Sequence, residues 1–96
     1  MVYMTASIKL YPGKQPDFIA LINEILPVVA KHGWKLVGSY ASVVGRLNTV
    51  MDFWELPEPN ALERGLADPA LQKYGPRIAE IIEDEVLSIL TKLPIG

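Results

Sequence analysis

Asp52, two residues before Trp54 in a strand-like apolar run, is the side chain of this sequence best placed for chemistry. Read with a period of two, residues 47 to 56 put Asn48, Val50, Asp52, Trp54 and Leu56 on one face and Thr49, Met51, Phe53 and Glu55 on the other. Large apolar groups occupy both faces, so the strand is expected to be covered on both sides. A carboxylate there is costly unless it finds a cation or shifts its pKa upward, and a raised carboxyl near neutrality is a usable general base. Two readings stay open: a pocket base at Asp52, or an ion pair with a lysine or arginine at the sheet rim. Trp54 is either a core indole or the wall of a site for a flat ligand.

Three more residues belong to this set. Tyr40 falls, by simple alternation, on one face with Trp34, Leu36, Gly38 and Ser42, where the missing side chain of Gly38 leaves room for a ligand or for close packing. Asn48 either donates to a substrate oxygen or satisfies its own backbone at the hairpin entry. His32, in the expected last turn of a helix, is explained by the helix dipole without any chemistry. Thus Asp52 is the candidate catalytic residue, with Trp54, Tyr40 and Asn48 as candidate ligand-binding residues. Ser39 and Ser42 lack the nucleophile elbow and a partnered base, and no phosphate-binding or dinucleotide-binding glycine pattern occurs.

Composition narrows the function classes. Nine basic and eleven acidic residues give a net charge of −2 with no long run of either sign, which is not the footprint of a nucleic-acid binder. The absence of cysteine removes disulfides, thiolate metal sites and thiol nucleophiles, and a single histidine cannot build the common transition-metal sets within one chain. No metal and no other cofactor is expected. No apolar run approaches the roughly 20 residues needed to span a bilayer, and the first residues have no basic segment followed by a long apolar one. A single cytoplasmic domain over residues 1–96 is expected, with no membrane or nucleic-acid partner.

The elements that must position these residues follow from periodicity. Val2 to Tyr11 alternates as a first strand, with Val2, Met4, Ala6, Ile8 and Leu10 on its apolar side. After Pro12-Gly13, Pro16 and Asp17 suit a helix first turn, and Phe18, Leu21, Ile22, Ile25, Leu26 and Val29 form its stripe before a stop at Gly33. Pro27 predicts a bend. Trp34 to Val43 reads as a second strand, turned at residues 44–46 into the strand of residues 47 to 56. Asn60 with Glu63 has capping-box spacing for a short helix near Ala61 to Ala67. Asp68-Pro69 opens a further helix, with a stripe of Leu71, Tyr74, Ile78, Ile81 and Ile82 and a kink or break near Gly75-Pro76. Val86 to Leu93 closes the chain as a fourth strand.

The order βαββαβ, with right-handed crossovers, predicts an α+β, ferredoxin-like fold: a four-stranded antiparallel sheet with both helices on one face. The other face is left apolar and bare, far larger than an ordinary exposed patch, so a homodimer joining sheet to sheet is expected.

Over most of its length the sequence also resembles the NIPSNAP-like branch of the dimeric α/β-barrel proteins. The matching pieces, in order, are Tyr11-Pro12-Gly13-Lys14, His32-Gly33 with Leu36-Val37-Gly38, Gly45-Arg46-Leu47-Asn48 leading to Trp54, and Asp68-Pro69. Two positions depart from the family pattern. Where the family has Arg-x-Tyr in its first strand this chain has Ala6-Ser7-Ile8, and where it often has a histidine two residues before the tryptophan this chain has Asp52. The resemblance implies a dimeric barrel, and its wider superfamily includes cofactor-independent monooxygenases, haem-degrading enzymes, isomerases and polyketide cyclases. The ligand does not carry over, because a cation and a phenol are lost and an imidazole has become a carboxylate. The expectation is a protein that binds a small hydrophobic or aromatic metabolite, as a cofactor-free enzyme or as a non-catalytic binding or assembly module.

Overall fold

A computed structural model describes residues 1–96. Strands β1 (Val2–Leu10), β2 (Lys35–Ala41), β3 (Thr49–Leu56) and β4 (Ile82–Leu90) form one antiparallel sheet in the order β2-β3-β1-β4. Helix α1 (Gln15–Ala30) crosses between β1 and β2, and α2 (Asn60–Ala67), α3 (Pro69–Gln72) and α4 (Gly75–Ile81) cross between β3 and β4. This is the ferredoxin-like arrangement.

The core lies between the helices and one sheet face. Met4, Ala6, Ile8 and Leu10 of β1 and Val50, Trp54 and Leu56 of β3 meet Phe18, Leu21, Ile25 and Val29 of α1. Each fully buried aliphatic side chain in such a layer contributes roughly 1.5–3 kcal/mol. Trp34, just ahead of β2, is locked from two directions. Its indole N–H donates to the Ala61 carbonyl at 2.7 Å, and its ring edge lies against the ring of Trp54, centroids 5.7 Å apart and planes at 79°. Gly65 of α2 permits this, since a Cβ there would come within 2.5 Å of the Trp34 ring.

Helix α1 runs through Pro27 without a break. Pro27 and Asn23, whose carbonyl loses its donor, are both exposed, so water can replace the missing hydrogen bond. The second proline does interrupt: α3 ends at Gln72 and a new helix starts at Gly75. The capping box of Asn60 and Glu63 does not form, because Asn60 is already helical and Pro59 takes the cap position without a side-chain bond. Asp68 caps α3 as expected, accepting from the Ala70 N–H at 2.8 Å. Strand β4 begins at Ile82 rather than Val86, as α4 passes straight into extended backbone and Ile82 pairs with Leu10.

The most consequential correction is in β2. Its pairing with β3 slips between Leu36 and Gly38, a bulge that spends one extra residue and inverts the alternation after it. Leu36 stands opposite Trp54, but Ser39 stands opposite Asp52 and Tyr40 opposite Met51. Tyr40 and Leu36 are therefore on opposite faces. Tyr40 lies across Gly38 on the bare face and packs edge-on against Phe53, centroids 5.9 Å apart. Phe53, Tyr40, Val86 and Leu90 are exposed on that face, which they share with Thr5, Ser7 and Ser88.

Candidate functional site

Between α1, the α2–α4 crossover and the sheet lies a cavity of about 110 Å³. Its walls are apolar, including Phe18, Leu21 and Ile25 from α1 and Trp54 and Leu87 from the sheet. Asp52 and Glu85 are its only polar lining residues. Both point from the helix-facing side of the sheet and flank β1, Asp52 opposite Ala6 and Glu85 opposite Ile8. The small side chain of Ala6 leaves the space over the central strand open. Leu66 and Glu85 are the lining residues most open to solvent, marking the mouth, whereas Asp52 is 1% exposed.

Asp52 accepts one hydrogen bond, on Oδ1, from the Ser39 hydroxyl. Its Oδ2 accepts none, and no lysine, arginine or histidine lines the cavity. Lys9, Arg64 and Arg77 are engaged in ion pairs with Glu83, Glu58 and Glu24, and His32 lies against Asp68. Burial consequently raises the Asp52 pKa above its ordinary 3.8, against the opposing effect of the Ser39 hydrogen bond. The Glu85 carboxyl also rises, first through the apolar surroundings of the mouth and then through the negative charge of Asp52. Both carboxyls thus hold a proton more readily than free carboxylates do, and a group so placed can accept a proton and return it.

Of the residues singled out in the sequence, the structure brings Asp52 and Trp54 together at this cavity. Tyr40 is on the opposite sheet face, carried there by the β2 bulge. Asn48 sits in the β2–β3 turn with a left-handed φ of 58°, and its carbonyl accepts from the Leu10 N–H at 2.8 Å. It borders a larger polar depression shared with Lys9, Arg46 and Glu83, whose charges are solvated or already paired. His32 lies beyond the end of α1 and is 2.8 Å from Asp68 Oδ2, tying α1 to the start of α3. Ser39 and Glu85 were not among the sequence candidates. Gly38 was the signal for Ser39, since a glycine inside a strand often marks a bulge. For Glu85 it was the alternation of Glu85, Leu87 and Ile89, visible once β4 is extended backward.

A ferredoxin-like α+β domain with a helix-covered acidic cavity defines the class of the protein. The chain belongs to the NIPSNAP family, whose model matches residues 3–95. It is similar to an uncharacterised NIPSNAP domain protein from Burkholderia xenovorans, with 25% identity and a TM-score of 0.83, covering 100% of this chain and 98% of that one. A NIPSNAP family protein of unknown function from Agrobacterium tumefaciens shares the fold at 23% identity and a TM-score of 0.79, covering 100% and 94%. A second from that organism does so at 19% identity and 0.81, covering 99% and 95%. No curated protein matches. No helix is long and apolar enough to cross a membrane.

Proposed function

We propose that this NIPSNAP-family chain binds a small hydrophobic or aromatic metabolite in the cavity beneath its helices, and that Asp52 is the acid–base group of the site. One observation carries the reading: a carboxylate that is 1% exposed, without a cation, lines a cavity whose walls are apolar apart from Glu85 at the mouth. Leaving such a group in place costs stability, and functional sites are where that cost is commonly retained. In an isomerisation or cyclisation, Asp52 Oδ2 would take a proton from a substrate carbon or hydroxyl and return it elsewhere on the same molecule, with no net oxidation. At about 110 Å³ the cavity is smaller than the roughly 150 Å³ of an apolar cavity that accommodates benzene, so a ligand must be compact, with part of its bulk in the mouth. We further propose that the chain works as a cytoplasmic homodimer, joined through the bare sheet face.

The hydrogen bond from Ser39 favours a second reading, in which Asp52 stitches β2 to β3 and the chain is a non-catalytic binding or assembly module. Titration with small apolar fragments, followed by NMR at the cavity residues, separates the two. Saturable shifts centred on Trp54, Phe18 and Leu87 support the site. A cavity that no fragment perturbs supports the scaffold.

A further inference from the structure

We propose that the cavity selects ligands that carry a protonated amine on a small apolar body and rejects carboxylic acids. The inference rests on the cavity being a ligand site and adds the chemical class it takes.

An anionic ligand needs a cation or an array of N–H donors, and the lining offers no lysine, arginine or histidine. An incoming carboxylate would instead meet Asp52 inside and Glu85 at the mouth, two acceptors in an apolar surround where like charges repel strongly. A purely apolar ligand fills the space but leaves Asp52 Oδ2 without a donor, and a buried acceptor left unpaired costs about 1–3 kcal/mol. An ammonium group supplies both the donor and the missing charge.

Position strengthens this. Asp52 is deep and already oriented by Ser39 on Oδ1, so that Oδ2 is the oxygen free to accept. Glu85 stands on the far side of β1 and nearer to solvent, so a cation meets a carboxylate first at the entrance and then inside. Such a lining concentrates cations and turns anions away before contact. The apolar body then packs against Trp54 and Phe18, and a cavity of about 110 Å³, below the roughly 150 Å³ that takes benzene, restricts it to at most one ring or a short branched chain that reaches into the mouth.

A matched series tests the class: 3-methylbutylamine, 3-methylbutan-1-ol and 3-methylbutanoate, with benzene as an uncharged probe of the cavity itself, each titrated by NMR at neutral pH. The amine is expected to bind at least about ten-fold tighter than the acid, with the alcohol between, as for a hydrogen bond to a charged group. Asp52→Asn should erase most of that preference. Glu85→Gln, on an exposed strand position, should reduce that preference as well, and it keeps the test available if Asp52→Asn does not fold. Benzene and alcohol binding with no preference for amine over acid would overturn the charge class and leave the cavity site standing. Failure of all four to perturb the cavity would overturn both.

Discussion

Asp52 and Glu85 hold their protons more tightly in the folded protein than their ordinary values of 3.8 and 4.5 imply, and their neighbours set how tightly. The Ser39 hydroxyl donates to the charged form of Asp52 and so opposes the effect of burial. Ser39→Ala should therefore raise the Asp52 midpoint further, which a ¹³C titration of the side-chain carboxyl would report; a fall would show that another donor controls the group. Removing the Asp52 charge in Asp52→Asn should bring the Glu85 midpoint back toward 4.5. Gly65 tests packing beside the same site. Alanine favours a helix by about 1 kcal/mol over glycine, but its Cβ would fall within 2.5 Å of the Trp34 ring, and overpacking costs about 1–3 kcal/mol. Gly65→Ala should thus lower stability in urea titrations, and a gain would mean that Trp34 is free to move.

At the scale of elements, the α1–α3 junction depends on Asp68, which caps α3 through the Ala70 N–H and meets His32 beyond the end of α1. The His32 hydrogen bond and then the Ala70 N–H hold the Asp68 carboxyl below its ordinary range. Stability from a depressed carboxyl is present above the ordinary value and is lost as pH falls through the depressed one. Asp68→Ala should lower Tm at neutral pH, with the deficit narrowing in acid, and Asp68→Asn should recover the cap but not the ion pair. Much at this scale was legible in sequence: the Asp68-Pro69 helix start, the interruption at Gly75-Pro76, the stripe of α1 and the face shared by Asp52 and Trp54 all rest on local periodicity and cap chemistry. What was not legible depends on pairing between strands. The β2 bulge is set by how β2 meets β3, so alternation alone put Tyr40 with Leu36 and overlooked Ser39. The early start of β4 is likewise decided by Ile82 finding Leu10.

For the whole molecule, the consequence is a sheet with two unlike faces. The helix-covered face holds the cavity, while the other exposes Tyr40 and Phe53 on β2 and β3 and Val86 and Leu90 on β4, on either side of Tyr3, Thr5 and Ser7 of β1. If that second face is the proposed dimer interface, Phe53→Lys should give a folded monomer by sedimentation velocity where the parent chain sediments as a dimer. Parent and variant sedimenting alike would remove that face from the assembly. The cavity lies on the other face, so the monomer should keep its fragment-binding site.

The central claim is that Asp52 is kept at a cost to the fold for the sake of the cavity, and the stability difference between the parent chain and Asp52→Asn, measured by thermal denaturation from acidic to neutral pH, tests it most directly. A carboxyl whose folded pKa is raised contributes stability below its ordinary value and loses it as pH rises through the raised value. The amide keeps the shape and a carbonyl acceptor for Ser39 but carries no charge to bury. The account predicts that Asp52→Asn is more stable at neutral pH, with a Tm rise of about 4–8 °C for each kcal/mol gained in a domain of this size. The gain should shrink as pH falls toward 3.8. A variant less stable than the parent at neutral pH would show that the fold itself relies on the Asp52 charge, and would contradict the account.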